Sequence, residues 1–308
     1  MTLRERLALV GESGKDFLDD ECPTQAAALS YYTIFSLPPL LVLVLLLLGA
    51  VLDPRDVQGE LERQIRMLMG PAGAGQIRTI LQQAERPGSG GVVATVLGIG
   101  ALLLGATGAF GQLQAALNRA WEVAPDPRQG GLKSFLAKRV FSFGMILSVA
   151  FLLLVSLALS AVLSAFGDRL GLLLPSGISA TLLQLLNLAL SFLVITLLFA
   201  AIFKVLPDAR IAWRDVWIGA LVTAALFVVG KFLIGFYLGR SNPGEAFGAA
   251  GSLAVMFVWI YYSSMILLFG AEFTQTWARR RGSGIEPERG AIRLVEPDKP
   301  VRSPVHPG

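Results

Sequence analysis
Enzymatic chemistry needs ionisable or metal-binding side chains set close together, and this chain places very few of them where they would count. Its one histidine, His306, stands almost at the C-terminus, and its one cysteine is Cys22. A single cysteine excludes an intrachain disulfide, and a single histidine argues against a histidine-ligated metal centre, which needs clustered ligands. Hydrolysis of RNA would require acid–base histidines or a metal-binding carboxylate cluster. The nearest approach is the run Asp16, Asp19, Asp20 and Glu21, which reads as a solvated helix cap. No catalytic residue, metal ligand or cofactor is therefore assigned, and the chain does not read as an enzyme.

The residues that remain are charged or polar groups inside apolar runs. Lys231 lies within Val216–Leu238 and Glu272 within Gly248–Trp277. An ammonium or carboxylate at membrane depth is costly and marks function unless a structural partner explains it. At about 1.5 Å per residue, Lys231 sits roughly 12 Å below one end of its run and Glu272 roughly 36 Å below the same surface. That difference of about 24 Å argues against an ion pair between them. Asn187, with Gln184 one turn higher, falls at the depth of Lys231 and is the preferred contact. Snorkelling of the lysine stem toward headgroups is the structural alternative. Gln25, Tyr32, Thr33 and Ser36 fall on one face of another run. That face serves either interhelical hydrogen bonding or the lining of a pathway. Gln25, Tyr32, Ser36, Gln184, Asn187 and Lys231 thus form one candidate polar network or pathway. Glu272, near the end of its run, is expected to meet Arg119, Lys138 or Arg139 as an interface clamp.

The elements that must position these groups are membrane-spanning helices. Of the 308 residues, 54% are hydrophobic and only 16% charged, and the mean hydropathy is +0.63. Soluble domains carry about a quarter charged residues. Apolar runs long enough to cross a bilayer occur at 25–52, 91–112, 140–166, 179–206, 216–238 and 248–277. The fold class is accordingly all-α, a polytopic membrane protein with six transmembrane helices. Pro38 and Pro39 divide the first run and predict a kink or break there. Between the first two runs, residues 53–90 carry apolar residues at helical spacing and predict short amphipathic helices on the bilayer surface. The second run continues past the membrane as an amphipathic helix to about Glu122. Ala101, Gly105 and Ala109 form a small-residue ridge. On the last run Ser252, Trp259, Ser263, Gly270 and Thr274 share a face, the pattern of close helix packing.

Lys and Arg concentrate at residues 1–24, 119–139, 204–214 and 278–308. The basic side of a membrane protein faces the cytoplasm. Both termini are therefore expected inside, with the 53–90 loop periplasmic. Trp121, Trp213, Trp217 and Trp277 are then expected at the inner interface. Residues 1–24 form a cytoplasmic N-terminal segment. Residues 278–308, which open on Arg279, Arg280 and Arg281, read as a disordered basic tail. The net charge of +4 suits anionic lipid better than nucleic acid.

Four stretches together resemble the YihY/BrkB family of bacterial inner-membrane proteins, formerly mislabelled ribonuclease BN. They are QAAALSYYTIFSLPPLL (25–41), GAFGQLQAALNRAWEV (108–123), LPDARIAWRDVWIGALVTA (206–224) and GAAGSLAVMFVWIYYSSMILLFGAEFTQ (248–275). The resemblance covers about residues 20–280 and implies a six-helix fold in the inner membrane with both termini cytoplasmic. It also implies that the polar segment Gln25–Ser36, Lys231 and Gly270–Phe273 are family features. The resemblance and the buried polar groups together point to a transporter-like or lipid- or osmolyte-handling protein without its own nucleotide hydrolysis. The alternative is a structural or partner-binding membrane protein that associates, with itself or others, through small-residue helix faces. Membrane lipids are the expected partner, with a homo-oligomer as a second possibility.

Overall fold
A computed structural model describes residues 3–49, 53, 58–59, 62–63, 66, 75, 78, 108–129, 176–241, 251–282 and 284–294. The expected span 140–166, most of 91–112 with its ridge at Ala101 and Gly105, and the candidates Lys138 and Arg139 lie outside the described residues.

Helix α1 spans Leu3–Asp19. Leu9, Ser13, Asp16 and Phe17 recur at intervals of three or four, and that face is buried. The chain then reverses through Asp20 and Glu21, whose φ of 52° is left-handed, and enters α2, Cys22–Gly49. Pro23 occupies the first turn, where its missing N–H costs nothing. Pro38 and Pro39 do not break α2, contrary to expectation: helix runs through them to Gly49. Each proline removes one backbone donor, and the turns on either side hold the rod together, as membrane helices commonly allow.

Helical residues 108–120, here α3, continue beyond position 112 as the amphipathic pattern predicts. Glu122, at φ 53°, ends the helical path. Strand β1, Val123–Pro125, and a 3-10 turn at Pro127–Gln129 follow. Helix α4 is Ser176–Val205, β2 Ala209–Arg210, α5 Trp213–Ser241 and α6 Gly251–Arg281. Among the described residues three helical segments are apolar and long enough to cross a membrane: Leu188–Val205, Trp213–Phe236 and Leu253–Arg281. Their outward faces are greasy: Leu188, Leu193, Val229, Phe232 and Phe236 are all exposed. Such surface is stable against lipid and costly against water. In the 53–90 loop the described positions 58–59, 62–63, 66, 75 and 78 are helical, and Arg78 pairs with Glu62 at 2.6 Å.

Helix α6 is the hub, packing against α1, α2 and α5, while α4 packs on α5. The α5–α6 seam repeats one device in both directions. Thr274 fills the space above Gly219, and Thr223 fills the space above Gly270. Each threonine hydroxyl donates to the carbonyl four residues earlier on its own helix, at 2.7 Å (Gly219) and 2.6 Å (Gly270). The glycines let the backbones approach, and the threonines satisfy their own hydroxyls. Lower on α5, Gly230 receives Tyr262 in the same way.

The C-terminal segment departs from the disordered tail expected after 277. Helix α6 continues to Arg281, and two short strands follow, β3 (Glu286–Pro287) and β4 (Ala291–Arg293). Strand β4 pairs antiparallel with β1, Val123 opposite Arg293, and β3 pairs with β2, Ala209 opposite Pro287. These strands borrow their backbone partners from α3–β1 and from the α4–α5 connection, which is why composition alone reads as disorder. Beside them Asp208 accepts from Asn118 Nδ2 at 2.9 Å and Gln114 Nε2 at 3.1 Å, and its own N–H donates to Asn118 Oδ1 at 2.8 Å. Asn118 is 5% exposed. Asp208→Ala strips two buried or half-buried groups, Asn118 Nδ2 and Gln114 Nε2, of their acceptor and is expected to cost about 2–3 kcal/mol, read by thermal unfolding in detergent. Asp208→Asn, which keeps an acceptor, should cost less.

Candidate functional site
The most deeply buried ionisable group described is Glu272, at 0% exposure three turns before the end of α6. Three other elements close over it. From α2, Cys22 Sγ donates to Glu272 Oε1 at 3.5 Å, a weak contact. From the α1–α2 turn, the carboxyl of Asp20, 3% exposed, is a second acidic neighbour. From α3, Trp121 Nε1 donates to the carbonyl of Ala271 at 3.2 Å and stacks edge-on against Phe203. Among the described residues Glu272 Oε2 has no hydrogen-bond donor. Burial, and next the Glu272 carboxyl, push the Cys22 thiol up from its ordinary value. Thiolate is therefore scarce, and Cys22 should resist maleimide in the folded protein.

Of the partners expected to clamp Glu272, Lys138 and Arg139 lie outside the described residues. Glu272 has no ion pair among the described residues. Arg119 instead reaches Glu21, at 3.5 Å, because the α1–α2 turn stands between α3 and α6. The clamp proper joins α1 to the end of α6: Arg279 holds Asp16 at 2.8 Å and Glu12 at 3.0 Å, Arg280 also pairs with Glu12, and Arg281 pairs with Glu5 at 2.9 Å. Asp16 and Asp20, expected in a solvated cap, are 7% and 3% exposed. Trp121, expected at the membrane interface, is a core residue at 2% exposure, whereas Trp213 is exposed and carries the Lys204 ammonium 5.6 Å over its ring.

Lys231 shares a face of α5 with Phe227 and Ile234, the side that packs toward Trp259 and Ile260 of α6. It is half-buried and makes no hydrogen bond or ion pair with any described residue. The threonine–glycine seam sets Lys231 level with Tyr262, ten residues from Glu272 and so about 15 Å along the axis. That is closer than the 24 Å expected from run ends, because α6 and α5 overlap further than the run boundaries suggest, yet still too far for an ion pair. Phe199 meets Phe227 at 5.8 Å between ring centroids. This contact puts Lys231 level with Ile195, roughly 12 Å from Asn187 along α4. The side chains of Gln184 and Asn187 lie outside the described residues.

Gln25 is bonded to Gln112 Nε2 at 3.1 Å, joining α2 to α3. Ser36 is 3% exposed and donates to its own helix at the carbonyls of Tyr32 (2.7 Å) and Thr33 (3.1 Å). Tyr32 is exposed and lies alongside Gly108. The structure thus leaves Gln25, Ser36 and Lys231 at separate contacts. On α6, Gly270 and Thr274 pack as their spacing implies, and Ser263 Oγ is buried without a partner. Sequence reasoning missed Asp16, Asp20 and Arg279. The signal that could have found them is the spacing of Glu5, Glu12 and Asp16 on one face of a helix, opposite three consecutive arginines elsewhere in the chain. Among the described residues, no group of three or more His, Cys, Asp or Glu side chains could hold a metal ion.

A family model described as virulence factor BrkB matches residues 14–293. A UPF0761 membrane protein of Alkalilimnicola ehrlichii is 29% identical, covering 95% of this chain and 68% of its own length. Another, from Psychromonas ingrahamii, is 29% identical over 83% of each chain. YfkH of Bacillus subtilis, whose name calls it ribonuclease-like, is 26% identical over 85% of this chain and 92% of its own. No solved structure matches. The match spans every element that builds the Glu272 site, from the end of α1 to β4, and the apolar helices behind it are long enough to cross a membrane: this chain is a membrane protein of the BrkB family.

Proposed function
We propose that the protein moves a solute or lipid across the bacterial inner membrane without hydrolysing nucleotide, with both termini in the cytoplasm. Lys231 is the observation that carries this reading. It is a cation on the protein-facing side of a membrane-spanning helix, half-buried, with no neutralising group among the described residues. A helix buried purely for packing has no reason to hold such a charge away from lipid and from a counter-ion. Water, or an anionic or zwitterionic part of a transported molecule, is what would solvate it.

The test is aqueous access. In a Cys22→Ser background, Lys231→Cys is expected to react with a membrane-impermeant maleimide in sealed vesicles of one or both orientations. Phe232→Cys, one residue on and lipid-exposed, is expected not to. Equal silence at both positions in an inserted, folded protein would overturn the pathway and favour a packed, partner-binding membrane protein.

Membrane lipid is the partner this reading implies at the α1 end as well. Helix α1 exposes Leu7, Val10 and Leu18 along one face, with the exposed cations Arg4 and Lys15 beside it. An apolar stripe flanked by basic residues suits the headgroup boundary of an anionic leaflet.

A further inference from the structure
We infer that the turn between α4 and α5 holds the headgroup of one anionic glycerophospholipid, with Lys204 and Arg214 on its phosphate and its acyl chains along the exposed faces of both helices. Such a site goes beyond the transport reading and does not depend on it.

Lys204 lies in the last turn of α4, and its ammonium is held rather than free to sway. Its Nζ donates across the turn to the carbonyl of Ile211 and lies 5.6 Å over the ring of Trp213. A carbonyl and a π-face orient a cation without neutralising it. An ammonium has three donors, so others remain for a ligand. Arg214, the residue after Trp213, is exposed and makes no hydrogen bond or ion pair with any described residue. The acids of the same stretch serve elsewhere. Asp208 accepts from Asn118 and Gln114. Asp215 is 3% exposed and packs against Gly282. Glu286 stands opposite Arg210 in the β2–β3 register. Two cations flanking the Trp213 indole therefore have no anion among the described residues.

The surface around them says which anion fits. Trp213 is 56% exposed, and Trp217, one turn on, is exposed as well. Indole rings settle at the boundary between headgroups and hydrocarbon. Beyond that level the exposed side chains are greasy: Leu221, Leu226 and Val229 along α5, and Val205, Leu197 and Leu193 along α4. Trp217 to Val229, like Val205 to Leu193, is about 18 Å of helix. One leaflet of a bilayer contributes about 15 Å of hydrocarbon, so each apolar column matches the length of one acyl chain. A soluble phosphate would neutralise the cations and leave both columns bare. A glycerophospholipid satisfies both, with phosphate at the basic turn and chains below it. A headgroup bearing its own ammonium would set a like charge beside Lys204 and Arg214, so the site favours a headgroup of net negative charge.

The experiment is native mass spectrometry of the full-length protein from neutral detergent micelles, titrated with phosphatidylglycerol or with phosphatidylcholine of the same acyl chains. The wild type is expected to retain one phosphatidylglycerol in preference to phosphatidylcholine. Lys204→Gln, which keeps a donor for the Ile211 carbonyl, and Arg214→Gln are each expected to weaken that lipid about fivefold, the weight of one basic residue at an anionic surface. Together they should abolish the preference, and Arg214→Lys should keep it. Arg214→Gln, at an exposed position, keeps the test decisive should Lys204→Gln fail to fold. Arg4→Gln with Lys15→Gln, the basic positions of α1, should leave the preference unchanged. Glycerol 3-phosphate, which has the phosphate without the chains, should not displace the lipid even in large excess. Equal retention of the two lipids, or a preference that survives Arg214→Gln with Lys204→Gln in folded protein, would overturn the site. So would a preference lost with the α1 variant instead, or displacement by glycerol 3-phosphate. Maleimide silence at position 231 would leave these outcomes untouched, so the lipid site and the transport reading fail separately.

Discussion
Gly270→Ala is expected to destabilise this protein strongly although it adds a single methyl group. A Cβ at position 270 would collide with the Thr223 hydroxyl and stand 2.9 Å from Thr223 Cβ, in the middle of the α5–α6 seam. Thr223 cannot swing aside. It is 0% exposed, and its hydroxyl is bonded to the Gly219 carbonyl at 2.7 Å. Relief therefore has to come from separating two helices. Overpacking of this kind costs about 3 kcal/mol. Gly219→Ala should behave alike, since its Cβ would lie 2.8 Å from Thr274 Cβ. The decisive comparison is a double-mutant cycle read by denaturant unfolding in micelles. Thr223→Gly alone costs packing, a bond and helix propensity. Combined with Gly270→Ala it should restore room for the new methyl, giving a favourable coupling of about 2 kcal/mol. Additive losses would mean that the seam is looser than the register of glycines and threonines indicates. The membrane setting sharpens this expectation. Lipid is as apolar as the helix faces, so close backbone approach, rather than escape from water, is what holds α5 to α6.

The same residues show what could be read in advance. The long helices were legible because hydropathy and length are local properties. Runs at 25–52, 179–206, 216–238 and 248–277 correspond to α2, α4, α5 and α6 with ends shifted by only a few residues. The Ser252–Thr274 stripe was legible as a packing face, although the threonine–glycine reciprocity needs the register of the partner helix. Helix α1 was not read as part of the bundle, because half of its buried face is acidic. Glu12 and Asp16 look like solvent-facing residues until Arg279 and Arg280 are placed opposite them, more than 250 residues away in the chain. The strands at 286–293 were invisible for a similar reason: two or three residues carry no periodicity, and their partners are distant. Lys231 was picked out from cost alone, since any lysine in such a run is anomalous. Glu272 stood out for the same reason, but its partners did not. The basic loops suggested Arg119, which the chain reversal at Glu21 draws to Glu21 instead.

That acidic face makes a second strong expectation, which falls on Arg279. Arg279→Ala takes from Asp16, 7% exposed, the guanidinium that holds it at 2.8 Å, while Glu12 keeps Arg280. Removing one partner of a buried pair costs about 3–5 kcal/mol. Arg279 is 26% exposed, and solvent screening brings the expected loss to about 2 kcal/mol. Arg281→Ala, at a pair whose members are 44% and 49% exposed, should change stability by less than about 0.5 kcal/mol. The origin of the loss is testable, because Asp16→Asn in the Arg279→Ala background removes the charge that lost its guanidinium and should recover part of it. A second readout follows the location rather than the amount. If Arg279 pins α1 onto α6, its replacement opens the roof over Cys22 and Glu272. Maleimide should then label Cys22 in Arg279→Ala while the wild type stays unlabelled under the same conditions. A destabilised protein with Cys22 still silent would mean that α1 remains in place and the arginine acts only through its own charge balance. Labelling without loss of the α5–α6 core would identify α1 as a separately movable element, and the buried carboxyls beneath it as the groups that its movement exposes.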